Sequence, residues 1–389
     1  MAATAAGARA AQYDLTDEQR DLRDVIRRLV TERVAPRAAA IDETGEFPHD
    51  VRALFAEHDV LALPFATRHG GTGTGALMLS IAIEEVARAC ASSALMLAVQ
   101  DLGTLPIRLA GTPEQQDRVL PAFAAGERLA AFALSEPDAG SDPGAMRTRA
   151  QRTDGGWRIT GVKNWISNAG VADAYLVFAV TDPAANRSRA ITAFLVPADA
   201  PGFAVASLER KMGMRGSPTG QLVLEDVLVP DEDVVGPVGR GFPIAMQTLD
   251  HSRLGIAAQA LGLAAGATAY AAAYARERVT FGTPIIEHQA VGFMLADMET
   301  RTAAARALLY RAAAAADRDD RDLGTFSAMA KLFCSDTAMA VTTDAVQVLG
   351  GYGYVKDHPV ERMMRDAKLT QIYEGTNQIQ RMVVARALR

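Results

Sequence analysis

A chain of 389 residues exceeds what one compact core organises and suits two or three domains. Its 49% hydrophobic and 22% charged residues are ordinary for a globular protein and exclude a disordered chain. The formal net charge of −6, with no Lys/Arg run able to track a phosphate backbone, argues against nucleic acid as the main partner.

Cys90 and Cys334 stand alone in apolar stretches, and no CxxC, HExxH or His/Cys cluster has metal-ligand spacing, so no metal site is expected. Isolated thiols suit a reducing compartment, and a cytoplasmic location is expected. No uninterrupted apolar run reaches membrane-spanning length. Met1 to Gln12 reads as a frayed, alanine-rich tail, shorter and less basic than a cleaved transit peptide.

From Leu15 to about Ala131 the pattern is helical. Thr16 with Gln19 forms a capping-box signature, after which Leu22, Val25, Ile26, Leu29 and Val30 repeat at helix spacing. An apolar helix is expected around Leu77 to Val99, and Thr112-Pro113-Glu114-Gln115 starts another, with Pro at the first helical position. The run Gly70-Gly71-Thr72-Gly73-Thr74-Gly75 precedes a helix without a strand before it, so it reads as a flexible turn rather than a dinucleotide fingerprint.

From Phe132 to about Val238 the period shortens. Trp157 to Thr160, Tyr175 to Val180, Ile191 to Val196 and Gln221 to Val229 are short, β-branched or aromatic, and bounded by Gly, Pro, Asp and Asn clusters. A small antiparallel β domain is expected there. From Gly239 onward long alanine-rich helices return, over Ile244 to Arg278, Gln289 to Asp317 and Thr325 to Leu349, as in a closely packed bundle. The expected organisation is thus a helical domain over 1–131, a β domain over 132–238 and a helical domain over 239–389, an α+β chain.

Three stretches carry chemistry. In Ile372 to Arg381 (IYEGTNQIQR), Glu374 sits in a turn marked by Gly375, and Thr376 or Asn377 caps a last helix. The helix dipole lowers such a carboxylate's pKa, whereas burial raises it and makes a general base; a residue that merely helps the cap is the alternative. Phe132 to Asp142 (FALSEPDAGSD) combines small residues, turn formers and hydroxyls, leaving main-chain N–H groups to cradle a polar ligand, or forming a turn and nothing more. Lys163 to Asn168 (KNWISN) ends a strand with a Trp beside Ser and Asn, suited to stacking on a planar heterocycle, or to a core.

Together, in order and spacing, these stretches resemble the acyl-CoA dehydrogenase family over nearly the whole chain. Lys211 to Ser217 (KMGMRGS), Arg278 to Gln289 (RVTFGTPIIEHQ), Gln347 to Tyr354 (QVLGGYGY) and Pro359 to Lys368 extend the resemblance. The fold it implies is α+β, with an N-terminal helical domain, a middle antiparallel β-barrel-like domain and a C-terminal four-helix-type bundle.

The resemblance also implies FAD as cofactor. Phe132, Leu134, Ser135, Gly140 and Ser141 would line it, with Ser141 also reaching the substrate. Trp165, Ile166 and Ser167 would flank the flavin ring. Arg278, Phe281, Gln289, Gln347, Gly350 and Gly351 would reach the FAD of a neighbouring subunit, and Thr376 and Gln378 would touch the cofactor near the base. Asp250, Ser252, Arg253 and Gly375 would lie on the substrate side. Homotetramers built as dimers of dimers are implied.

Glu374 would then remove the pro-R α-proton of a saturated acyl thioester while the β-hydride passes to the flavin, giving a trans-2-enoyl thioester. The Glu374 N–H and a ribityl hydroxyl would polarise the thioester carbonyl, each donor contributing about 3–4 kcal/mol. Some relatives carry the base on the substrate-side helix, but Ile244 to Ala258 contains no glutamate. The implied substrate is an acyl-CoA, or an acyl group on a carrier protein, of short or branched chain; the implied electron acceptor is an electron-transferring flavoprotein. A flavin-binding scaffold without catalysis is the reading from outside enzymes. Asp138, in place of a frequent glycine, and Pro143 depart from the family pattern.

Overall fold

The first helix, α1 (Asp17–Leu29), opens through a reciprocal box: Thr16 Oγ1 accepts from Gln19 N–H, and the Gln19 side chain accepts from Thr16 N–H. Ile26 and Val30 are buried and Leu22 and Leu29 pack beside them, while Val25 faces outward. The computed structural model describes residues 15–389, apart from the side chains of Arg187 and Ser188; the Met1–Gln12 tail lies outside the described residues.

After α2 (Ala38–Thr44) and α3 (His49–Glu57), the apolar stretch expected as one helix is two, α4 (Gly75–Ala87) and α5 (Ala91–Ala110). Cys90 is extended at the break. Both helices are buried nearly all round, so no amphipathic phase marks where one stops. The glycine run leads into α4, whose Ala76 and Leu77 N–H groups donate to the Asp317 carboxylate. That helix terminus is satisfied by the chain's own carboxylate. α6 (Pro113–Ala124) starts as its Thr-Pro pair dictates, Thr112 Oγ1 accepting from Gln115 N–H.

The middle segment holds β1 (Ala130–Ala133), β2 (Arg149–Thr153), β3 (Gly156–Ser167), β4 (Ala174–Val180), the short α7 (Arg187–Ala190), β5 (Ile191–Pro197), β6 (Phe203–Leu208), β7 (Thr219–Val229) and β8 (Val234–Val235). They form one sheet in the order β6-β7-β3-β2-β4-β5-β8, with β1 also on β4. The sheet is mixed, not antiparallel as expected. β1 pairs with β4 in parallel, Ala130 opposite Ala174, and β2 meets β4 in parallel at Arg149 and Val180. The path from β6 to β8 does not close into a barrel among the described residues. β1 reads AAFA, without β-branched residues, and enters from a helix rather than a hairpin, so neither propensity nor a turn announced its direction. β4 is buried on both faces: Leu176 and Phe178 join one core, Tyr175, Val177 and Ala179 the other.

The C-terminal segment comprises α8 (Gly241–Glu277), a two-stranded ribbon of β9 (Val279–Thr280) and β10 (Thr283–Pro284), α9 (Gln289–Ala316), α10 (Leu323–Leu349), α11 (Val360–Thr370) and α12 (Asn377–Ala387). Its helices α8 to α11 share one hydrophobic core with α1, α4 and α5. α8 is long and apolar enough for a membrane span by length and composition, yet 78% of its apolar window is buried inside the protein.

α8 crosses the end of α4 with Gly262 and Gly266 on one face. A Cβ at Gly262 would overlap the Glu84 carbonyl oxygen, and one at Gly266 the Arg88 carbonyl oxygen. At Gly255 the nearest atom is Ala98 Cβ, at 3.3 Å, with no main-chain oxygen in the way. Gly262→Ala is therefore expected to cost about 1–3 kcal/mol in urea unfolding, and Gly255→Ala distinctly less. Equal losses would contradict the close approach at Gly262.

Candidate active site

Between α11 and α12 the chain turns through two consecutive left-handed residues, Glu374 (φ 52°) and Gly375 (φ 88°). Glycine tolerates this; a glutamate there carries a strain of about 1–2 kcal/mol that neighbours must offset. Four hydrogen bonds do so. Gln380 Nε2 donates to the carbonyls of Glu374 (3.2 Å) and Gly375 (2.8 Å), Lys331 Nζ donates to Gly375 O at 2.9 Å, and Arg253 Nε reaches Glu374 O at 3.5 Å. The Glu374 N–H donates to no group among the described residues. Thr376, rather than Asn377, caps α12, accepting from Ile379 N–H. Asn377 is buried and donates to Ser335 and Asp336.

α8 delivers the groups that face the carboxylate. Ser252 Oγ donates to Glu374 Oε2 at 2.6 Å, and Arg253 pairs with Asp250 at 2.7 Å. Burial pushes the Glu374 carboxyl up to about 7; the Ser252 hydrogen bond and the Arg253 charge oppose that rise, and the Asp101 charge adds to it. Of the two opposing influences read from the sequence, burial wins over the helix dipole. Burial also raises Asp250 and pulls Lys331 down to about 7. Beside Glu374, Tyr373 OH donates to Gln259, whose Nε2 donates to Ala91 O at 2.7 Å, tying the turn to the start of α5.

A second group lies on the middle segment. A register shift in β3 between Lys163 and Ile166 sets Trp165 at φ 60° with 59% of its surface exposed, not in a core. Below it, Lys163 is fully buried and donates to Leu134 O (3.1 Å) and Glu136 Oε1 (2.8 Å). The same carboxylate accepts from Arg147 N–H (2.6 Å) and Thr148 N–H (3.0 Å), and Asn164 N–H donates to Ser135 O (2.9 Å). The Phe132–Asp142 turn is thereby stapled to the strand that carries Trp165. Burial draws Lys163 down to about 8; it also pushes Glu136 upward, but the Lys163 charge and hydrogen bonds outweigh that and leave the carboxylate below its ordinary range. Phe132 packs on Phe178, Gly140 opens to free space, and Ser141 is exposed. The side chains of Leu134 and Ile166 point into cores, so only their main chain is available. Of the two departures, Asp138 is exposed and pairs with Arg147 at 3.6 Å, and Pro143 begins a 3-10 turn.

The remaining expected residues form a third group on the surface. Arg278 lies over the Tyr352 ring at 5.5 Å, Phe281 is 99% exposed at φ 52°, and Gly350 and Gly351 open to free space after Gln347 at the end of α10. Gln289 begins α9, exposed like Gln378 in α12.

The donor set fits a flavin dinucleotide. Ser135, Ser141, Ser167, Gln289, Gln347 and Gln378 have side chains with no hydrogen-bond partner among the described residues, and the Arg278 guanidinium has no ion-pair partner. An exposed indole beside unpaired hydroxyls suits a planar ring with polar edges, and an unpaired guanidinium suits a phosphate. Lys331, Gln259, Gln380 and Asp101 went unread in the sequence. A signal existed for Lys331, a lone charge in the apolar stretch Ala328 to Cys334.

Helices flanking a mixed sheet, with a carboxylate held on a strained turn and a cradle suited to flavin on the middle segment, fit a flavin-dependent dehydrogenase. Residues 16–127, 131–227 and 239–389 match the N-terminal, middle and C-terminal domains of acyl-CoA dehydrogenase. The chain belongs to the acyl-CoA dehydrogenase family, FAD-dependent oxidoreductases acting on CH–CH groups. It is 48% identical to the probable acyl-CoA dehydrogenase FadE25 of Mycobacterium tuberculosis, covering 97% of this chain and 96% of that one. It is 45% identical to cyclohexane-1-carbonyl-CoA dehydrogenase of Geobacter metallireducens, covering 97% and 98%. Among solved structures, butyryl-CoA dehydrogenase from Megasphaera elsdenii superimposes with a TM-score of 0.94 at 41% identity, covering 97% and 99%.

A carboxyl raised on folding makes stability fall as pH rises. The folded state holds the Glu374 proton up to about 7 and the unfolded state releases it near 4.5, so the loss develops between those values. Glu374→Gln should therefore gain stability over the parent by on the order of 1–3 kcal/mol at pH 8, with the difference shrinking to a constant below pH 4.5, in denaturant unfolding at matched flavin content. A difference independent of pH would contradict the buried, proton-retaining carboxyl.

Proposed function

We propose that the protein dehydrogenates a short, branched or alicyclic acyl-CoA between its α and β carbons, with Glu374 as the base. The observation that carries this reading is the Glu374 turn itself. It presents a half-buried carboxylate with a pKa near 7, held by Ser252, next to a main-chain N–H with no acceptor among the described residues. Glu374 removes the α-proton, and its N–H donates to the thioester carbonyl, lowering the acidity barrier that a carboxylate alone could not overcome. Ser252 aims the carboxylate, and Asp250, Arg253 and Gly375 shape the substrate side around it. Ser141 reaches the thioester from the middle segment.

Bound FAD supplies the hydride acceptor. Phe132, Leu134, Ser135, Gly140 and Ser141 line it with the turn, Leu134 through its main chain. Trp165, Ile166 and Ser167 flank the ring, and Thr376 and Gln378 meet it beside the base. Arg278, Phe281, Gln289, Gln347, Gly350 and Gly351 complete the FAD site of a neighbouring subunit in a homotetramer. The exposure of Phe281 and the unpaired Arg278 and Gln347 support that surface as one that is covered in the assembly. Electrons leave to an electron-transferring flavoprotein. Buried, unpaired Cys90 and Cys334 support a reducing, cytoplasmic setting. The cyclohexane-1-carbonyl-CoA and butyryl-CoA specificities named for the two relatives support compact acyl groups.

Anaerobic addition of acyl-CoA thioesters of graded length, branching and ring content should bleach the flavin absorbance, fastest for the compact ones. Glu374→Gln should retain FAD and lose the reduction rate by roughly 10²–10⁴-fold. FAD present but unbleached by every CoA ester would move the substrate to a carrier protein, and full activity in Glu374→Gln would remove the base assignment.

A further inference from the structure

Lys331 lies in the middle of α10 with none of its surface exposed. Its ammonium donates to Gly375 O and to Asn377 Oδ1, each at 2.9 Å, and no carboxylate oxygen among the described residues comes within 4 Å of it. Two neutral acceptors do not compensate the burial of a cation, and a neutral amide of similar reach would satisfy them at lower cost. What a lysine adds at this position is charge.

The charged groups around the pair can be placed element by element. Lys331 faces Glu374 from the turn, Arg253 from α8 and Asp336 from its own helix. Glu374 faces Arg253 from α8 and Asp101 from α5 as well as Lys331, with Asp250 paired to Arg253 and Tyr373 adjacent on the turn. Glu374 is the leading charge that favours the ammonium, while for Glu374 the Arg253 charge ranks ahead of that of Lys331. Arg253 is compensated by its own bond to Asp250; Lys331 has no such partner.

We propose that Lys331 is a positioning residue for the reaction: it clamps the Glu374–Gly375 turn from within the helical core through Gly375 O and Asn377 Oδ1, and its charge favours the ionised form of the Glu374 carboxylate. The proposal rests on Glu374 being the base. Burial draws Lys331 and Glu374 each toward neutrality, and each charge opposes the neutralisation of the other. Taking the cation away therefore moves the carboxyl further up.

Lys331→Gln keeps donors for Gly375 O and Asn377 Oδ1 while removing the charge; Lys331→Met removes both; Lys331→Arg keeps the charge. The readouts are the pH midpoint of flavin reduction by a fixed acyl-CoA, the pH titration of the oxidised flavin absorbance without substrate, FAD content and thermal unfolding. Lys331→Gln is expected to fold, to retain FAD and to move both midpoints upward by about one unit, a tenfold loss of rate on the acid side. Lys331→Arg should restore the parental midpoint. A folded, FAD-loaded Lys331→Gln with parental midpoints overturns the proposal even if Lys331→Met fails to fold. A Glu374→Gln protein that still reduces its flavin overturns the base assignment and the proposal with it; one that is inactive and lacks the absorbance titration leaves the Lys331 result decisive.

Discussion

The structure around the site depends on how one turn is held. A glutamate in the left-handed region is strained, and the following glycine extends the same hand, so Glu374 and Gly375 would relax if left to solvent. Their two carbonyls are instead engaged by Gln380 from α12, Lys331 from α10 and Arg253 from α8. Three helices must therefore be in register before the carboxylate meets Ser252. α8 and α10 share one core with α1, α4 and α5, and Gln380 ties α12 to the turn, so the geometry of the Glu374 carboxylate is a property of much of the helical part.

Buried charge pairs align the helices around them. Glu84 and Glu85 are adjacent and buried in α4, yet they face different elements: Glu84 binds Arg306 and Tyr310 of α9, Glu85 binds Arg27 of α1. Arg365 of α11 similarly grips Asp42 in α2, 323 residues away, and Glu361 on its own helix. Such pairs contribute little net stability, because desolvation offsets most of the attraction. A shifted packing, however, would leave a buried charge alone, and that penalty is large. Apolar helices rich in alanine offer few knobs to fix their own alignment, so these charges specify what the alanines do not.

Much of this was legible before folding was considered. The Thr16 and Thr112 caps, β4, and the stretches around Glu374, Trp165 and Ser141 all announce themselves by local chemistry that the structure retains. What was not legible is relational. The parallel pairing of β1 with β4 depends on where a distant strand lies, and AAFA says nothing of it. The break at Arg88–Cys90 is invisible because both flanking helices are buried on nearly every side. Lys331 looked like one charge among forty basic residues until the fold placed it under a turn 44 positions later.

The site divides into groups with partners and groups without, and that division separates holding from binding. Glu374 O, Gly375 O, Lys163, Glu136 and Asn377 are all hydrogen-bonded within the chain, and each fixes a backbone segment. Ser141, Ser167, Gln378 and the Glu374 N–H are not, among the described residues, and each lies on a segment so fixed. A turn that directs its acceptors inward and leaves a donor outward has its orientation decided before any ligand arrives. The strained Glu374 backbone is fixed through its own and its neighbour's carbonyl, without calling on its N–H.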